Sequence, residues 1–371
     1  MRLSKTALAA LPLALLSVAA THSAQAATTA SSTTTRQLFV STTGNDHNPG
    51  TKAHPFRQVN RAAAVATPGT LVHVAPGTYG AVTSTRSGRA SAPIRFVSDS
   101  KWRATISAPG QTSAWTNTAQ WIVIQNFAIT RAQYNGIVTS TSNGRFLGNH
   151  IHHLAPPNCS RGGGGIVAEN YSATNNDSIG NYIDHIHVAG DCARIHGIYY
   201  QSPHAGRILN NLVTDTSGWG IHLWHNANSI TIANNTVLRN LKGGIVVGGS
   251  LEGNDVAPGI ARGVVVTNNI VANNGDYGIR EMGRVGRNVY ANNLLFRNHA
   301  GAFSLNGGGV PTGTVTRDPR FVNPARVDYR LRIGSPAVNR GTSLGAPRYD
   351  QQLRPRPQAG RMDIGAYEGA H

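Results

Sequence analysis

The sequence predicts an all-β chain, a right-handed parallel β-helix wound as a solenoid of coils about 23–24 residues long. Between Trp121 and about Asn306 a unit repeats in which an asparagine is followed by alternating apolar residues and then by a Gly-Ile pair. The anchoring asparagines are Asn126, Asn149, Asn181, Asn211, Asn235, Asn269 and Asn293, spaced by 23, 32, 30, 24, 34 and 24 residues, so a short base period is interrupted by insertions. The corner pairs run from Gly136-Ile137 through Gly165-Ile166, Gly197-Ile198, Gly220-Ile221 and Gly244-Ile245 to Gly278-Ile279. Stretches such as Ile230-Thr231-Ile232 alternate with period two, which makes short strands that must stack in parallel. Asparagines repeated at one register would stack about 4.8 Å apart and bond along a ladder, a structural role.

The organisation follows in order along the chain. Residues 1–26 read as a signal peptide: Arg2 and Lys5 precede an apolar run from Ala7 to about Ala20, and Ala24-Gln25-Ala26 supplies small residues for cleavage. Residues 27–36 are too polar and uniform to pack and read as a flexible leader. Residues 37–120 hold an N-terminal cap, with a short helix-compatible segment from Val59 to Ala66, and the first coils. Residues 121–310 form the central coils with the candidate groove, and residues 311–371 a C-terminal capping segment, since open strand ends need cover. No later stretch is long and apolar enough for a spanning helix, so the processed chain is expected to be secreted, or periplasmic in a Gram-negative host, and monomeric.

Lys and Arg number 33 against 16 Asp and Glu, for a net charge of +17, and the excess survives loss of Arg2 and Lys5. In an exported chain this favours an anionic polysaccharide or envelope polymer as partner. Nucleic acid ranks lower, for want of any recognised motif. Cys159 and Cys192 are the two cysteines and are expected to pair in an oxidising compartment; their spacing does not suit zinc, and no metal site is expected.

Three groups of motifs carry a resemblance. Near the start stand Gly44-Asn45-Asp46, Pro49-Gly50-Thr51 and Pro76-Gly77-Thr78-Tyr79; near the end stand Asp318-Pro319-Arg320-Phe321 and Asp363-Ile364-Gly365-Ala366-Tyr367-Glu368. With the coils between them, they resemble secreted right-handed β-helix proteins of the pectate-lyase-like superfamily, polysaccharide lyases among them. The resemblance implies a fold before a substrate, and it implies Ca2+ as a possible cofactor, since many such proteins hold the substrate carboxylate with it. Acidic residues are sparse here, and arginine is an alternative carboxylate partner.

Candidate site residues come from aligning coils on their asparagines. Four residues past the anchor lie His153, His185, Asp215, Arg239, Asn273 and Arg297; two past the corner glycine lie Val138, Val167, Tyr199, His222, Val246 and Arg280. Nine of the 15 histidines fall between His150 and His225, which marks the same coils. Eliminating a uronic acid requires neutralising its carboxylate, removing the C5 proton and protonating the leaving oxygen. Arg239, Arg280 and Arg194 are candidates for the first task, His196, His222 or Lys242 for the second, and Tyr199 or Tyr200 for the third. Lys242 is one of three lysines beyond the signal and stands beside Gly243-Gly244. Trp219, Trp224, Tyr199 and Tyr200 offer aromatic faces to sugar rings, with His185 and Asp215 nearby. Strand alternation points Ile198 and Ile221 inward and Tyr199, His222 and Trp224 outward. An insertion from about Gly249 to Arg262 would wall a groove, and a Cys159–Cys192 bridge would staple two loops beside His196. The expected activity is a secreted lyase on a uronic-acid polysaccharide; a C5-epimerase, a glycoside hydrolase or a glycan-binding surface protein are the alternatives.

Overall fold

A computed structural model describes residues 35–201, 204–250, 259–358 and 360–369. The signal peptide, most of the leader and the centre of the insertion after Ile245 lie outside the described residues. The described chain is a parallel β-helix of three stacked sheets. The first sheet has ten strands, from Gln37–Val40 to Val289–Ala291; the second has nine, from Gly77–Tyr79 to Leu294–Phe296; the third has nine, from Val82–Ser84 to Gly301–Ser304. Each coil contributes one strand to each sheet, and every pairing between coils is parallel and in register, as in Ile166↔Ile198, Ile198↔Ile221 and Ile221↔Ile245. The inward member of each row is fully buried, so isoleucine stacks on isoleucine down the axis.

The corner between the first and second sheets explains the asparagines. Asn149, Asn181, Asn211, Asn235, Asn269 and Asn293 form a buried ladder: from Asn181 onward each side-chain oxygen accepts the backbone N–H and the amide of the asparagine one coil before, as between Asn211 and Asn235 at 2.9 Å. Each amide also donates to a carbonyl of the preceding coil. Asn126 is not part of this ladder. It occupies the preceding position with φ 65°, which Gly148, Gly180, Asn210, Asn234, Asn268 and Asn292 fill in later coils, and Phe127 takes the ladder place, its N–H bonded to Asn149 Oδ1 at 3.0 Å. Asparagine tolerates this left-handed backbone, so the chain uses it twice in succession in the later coils.

At the N-terminal end the helix Val59–Val65 packs Val59, Ala62 and Ala63 onto the core. Asn60 satisfies the first exposed strand, donating to Ala81 O at 2.7 Å and accepting from Thr83 N at 2.8 Å. The C-terminal segment behaves differently from a simple end cap. Thr312 and Val315 bridge to the last coil, but the remainder runs back along the flank and buries Tyr329, Leu331, Ala337 and Ile364 against Leu212, Leu238, Ile270 and Leu294 of the second sheet. Those outward residues are apolar, and a segment covering them removes more surface from water than a plug at the end would.

Candidate functional site

The outer face of the third sheet, over the strands Gly163–Ala168, Ile195–Gln201, Trp219–Trp224 and Gly243–Gly248, gathers most of the candidate side chains. The corner glycine near the start of each strand is required by packing, since a Cβ at Gly197 would lie 2.2 Å from Val213 Cγ1. Beyond it the strand alternates, burying Ile198 and Ile221 and turning Tyr199, His222 and Trp224 outward.

His196 and His222 form the centre. Nδ1 of His196 accepts the backbone N–H of Trp219 at 3.2 Å, and Nε2 lies 2.9 Å from Nδ1 of His222. Since His196 Nδ1 faces a donor, its proton sits on Nε2 and is donated to His222; His222 therefore carries its own proton on Nε2, a tautomer assigned by the bonding network. That N–H is shielded from solvent and has no hydrogen-bond partner among the described residues. Burial pushes His196 well below the ordinary imidazole range, with His222 adding to the effect, and burial, followed by repulsion from His225, pushes His222 down to about 3. His196 has no nitrogen left to accept a proton from substrate, which corrects its assignment as a base; it positions His222.

Aromatic rings surround the pair. Tyr199 stacks on His222 at 5.2 Å, Trp224 meets it at 5.4 Å and Trp219 stands at 6.5 Å. The two indoles lie flat along the sheet because their neighbours one coil on are glycines: a Cβ at Gly243 would come within 2.2 Å of the Trp219 ring, and one at Gly248 within 2.3 Å of Trp224. Gly218 serves His196 likewise, a Cβ there lying 2.8 Å from its Nδ1.

The edge of this strip is charged. Lys242 donates its backbone N–H to Gly218 O at 3.1 Å, and its ammonium pairs with Asp191, which is 81% exposed. Cys159 and Cys192 are joined by a disulfide, with Cα atoms 5.6 Å apart, and tie together the loops that lead into Gly163 and Ile195. Arg194 donates to Ser160 O across the same loops at 2.9 Å. Arg280 lies in the His222 row two coils on, paired with Asp276 at 2.6 Å.

Other candidates lie elsewhere. Tyr200 points into the core, fully buried, its hydroxyl donating to Asn176 O at 2.9 Å beside Ser178 Oγ, so it cannot touch a ligand. Arg239 grips Asp215 through Nε and an outer nitrogen at 3.0 and 2.7 Å, on the corner between the second and third sheets, with Tyr329 of the C-terminal segment 5.6 Å below. Burial alone would raise the Asp215 carboxyl, but the Arg239 hydrogen bonds outweigh it and hold the group below its usual range. Arg239 is thus occupied as a structural ion pair. His185 bonds Asp184 at 2.6 Å and stacks on His153 at 4.8 Å, on the same corner. Arg131, His153, His185, Asp215, Arg239, Asn273 and Arg297 all have positive φ there.

The strip also holds groups that the coil alignment passed over. Gln201 pairs with Trp224 across coils and donates to Tyr171 Oη at 3.4 Å, with Tyr171 5.3 Å from the His225 ring. Glu169 stands in the coil before Gln201, its carboxyl raised by burial against the opposing pull of Arg161. Continuing the outward row of Val167, Tyr199 and His222 by one more alternation reaches Glu169, Gln201 and Trp224.

A calcium ion asks for about six to eight oxygen ligands. Among the described residues no three His, Cys, Asp or Glu side chains converge to hold a metal, and Asp191 and Asp276 are committed to Lys242 and Arg280. These residues do not fit the ion.

The model of the Pel9A-like right-handed β-helix region matches residues 38–311. The chain belongs to this family. Pectate lyase L of Dickeya dadantii (strain 3937) is 24% identical over 223 residues, 56% of this chain and 51% of that protein, so the chain spans about half the length of that curated relative. The crystal structure of pectate lyase Pel9A superposes with a TM-score of 0.63 at 19% identity, covering 90% of this chain and 96% of that one. The structure of a glycoside hydrolase gives 0.62 at 9% identity, covering 76% of this chain and 97% of that one. At such identities the likenesses to solved structures show the fold, which hosts both lyases and hydrolases.

Proposed function

We propose that this chain is secreted and cleaves an acidic, uronic-acid-containing polysaccharide by β-elimination on the outer face of the third sheet. The observation that carries the reading is the neutral His196–His222 pair set into a strip of outward-facing aromatic rings beside Lys242. Tyr199 and Trp224 receive the apolar faces of sugar rings. The His222 ring, held by His196 and the Trp219 amide, forms the base of the strip, and Arg194 and Arg280 at its edge neutralise the uronate carboxylate. Substrate displaces the exposed Asp191, and the Lys242 amine takes the C5 proton. The electron pair left on C5 forms the C4–C5 double bond, the C4–O bond breaks, and the Tyr199 hydroxyl protonates the departing oxygen.

Family membership and the pectate lyase names of Pel9A and pectate lyase L support a uronate substrate. Glycosidic hydrolysis calls for a pair of carboxylates; the strip offers imidazoles and a phenol at its centre, which favours elimination. The test incubates the protein with alginate, polygalacturonate, glucuronan, heparinoids and hyaluronan and follows the absorbance of unsaturated uronate. A rise that Lys242→Ala lowers by about 10²–10⁴-fold supports the reading. New reducing ends without absorbance would make it a hydrolase, an altered uronate composition with neither signal a C5-epimerase, and retention of polymer with no chemical change a binding protein.

A further inference from the structure

A second concave site lies away from the aromatic strip, where the C-terminal segment crosses the corner between the second and third sheets. It is a cleft of about 550 Å³ with an apolar floor that includes Leu238, Phe296 and Phe321, and with Ile333, 79% exposed, at its mouth. Four arginines line it, Arg239, Arg297, Arg320 and Arg332, against one lining carboxylate, Asp318. Asp318 is itself engaged by the backbone N–H of Arg320 at 2.8 Å. Arg239 is neutralised by Asp215. Among the described residues the other three are not neutralised by a carboxylate: Arg332 donates to Val322 O at 3.2 and 2.5 Å, Arg320 to Gly334 O at 3.3 Å, and Arg297 rests over Phe296 at 5.0 Å with no hydrogen-bond partner.

Guanidiniums held by backbone carbonyls or by a ring keep several N–H donors free in a fixed plane, the geometry that grips a carboxylate with two bonds. An apolar floor under a cationic rim suits a ligand with one flat, weakly polar face and one anionic edge. A sugar ring bearing a carboxylate has both.

We infer that this cleft is a binding site for a carboxylated sugar unit, separate from the third-sheet strip. In choosing a carboxylate among anions we rely on the uronate reading; the excess of arginine stands without it. A long acidic polymer would then be held at two places on one molecule, one where bonds are changed and one where the chain is only retained.

The experiment is calorimetric titration of the full chain with trigalacturonate at low salt, with galactotriose as the neutral control. Two binding events are expected in the wild type. Arg297→Ala/Arg332→Ala should weaken one at least tenfold with an unchanged melting temperature, since both guanidiniums are exposed, and Trp224→Ala should weaken the other. If the double arginine variant matches wild type while Trp224→Ala loses binding, the cleft is overturned and the strip stands. If the arginine variant loses one event while Trp224→Ala changes nothing, the cleft stands and the strip fails. Equal binding of galactotriose, displacement from the cleft by an equal concentration of inorganic phosphate, or no binding of trigalacturonate would each overturn the assignment.

Discussion

Acid should unfold this protein through its buried imidazoles, and the His196–His222 pair gives the effect a size. The perturbation is a drop from about pH 7.5 to about pH 4.5. In the unfolded chain both imidazoles take up protons below the ordinary value of 6.5, whereas in the folded chain burial keeps His222 neutral down to about 3, and His196 is displaced in the same direction. The unfolded state therefore binds more protons. Stability is full above 6.5 and falls as pH falls between those values. Each pH unit costs about 1.4 kcal/mol for such a group, so at about pH 4.5 His222 alone costs about 3 kcal/mol, and His196 adds to it. Urea unfolding of wild type and His222→Gln at both pH values isolates this contribution, because protonation of carboxylates is common to the two proteins. The glutamine oxygen can still accept from His196 Nε2–H, so the variant should lose about 3 kcal/mol less on acidification. Equal losses would refute the claim that the pair is desolvated and neutral.

Three further outcomes are expected. Asn235→Ala leaves the Asn211 backbone N–H and the Ile208 carbonyl without their side-chain partners, and should cost about 3–5 kcal/mol in chemical denaturation; a cost below about 1 kcal/mol would mean that the ladder is ornamental. Gly218→Ala places a methyl 2.3 Å from Ile195 O and 2.8 Å from His196 Nδ1, so the strand carrying His196 must shift, and kcat on the acidic polymer should fall at least tenfold; an unchanged kcat counts against the pair. Trp224→Ala should raise the KM for polymer by about tenfold, about 1.4 kcal/mol of lost ring contact, and a change confined to kcat would move Trp224 from binding to chemistry.

The coils, their period and the outward parity of Tyr199, His222 and Trp224 were legible because period-two alternation and a repeated asparagine are local signals. The same alternation turns Tyr200 inward, so its nomination as a ligand contact set aromatic character above strand geometry. Phe127 in the ladder position was hidden because Asn126, one residue earlier, carries the expected side chain on a left-handed backbone; the resulting slip of one residue also concealed Arg131 as the first member of the corner row. The coil alignment set Asp215 beside Arg239 in adjacent coils, but not that the two would close into an ion pair, and Tyr329 is brought beneath Arg239 by a segment ninety positions away in sequence. Glu169 was missed because the row comparison stopped one alternation short.

The returning C-terminal segment changes what kind of object the solenoid is. A plain stack communicates only between adjacent coils and can peel open from a free end one turn at a time. Here the left-handed corner asparagines act as pegs along its path: Asn210 donates to Tyr349 O, Asn234 to Asp363 O, Asn268 to Thr342 O and Asn292 to Arg340 O, at 2.6–2.9 Å. One strip of chain is thus fastened to four successive turns like a splint along a spring. The final turn cannot unwind without first releasing a segment anchored three turns away, which turns a row of nearest-neighbour steps into one shared barrier. Removing the segment after Arg317 altogether would leave the contacts between coils in place and yet hand the protein back its zipper.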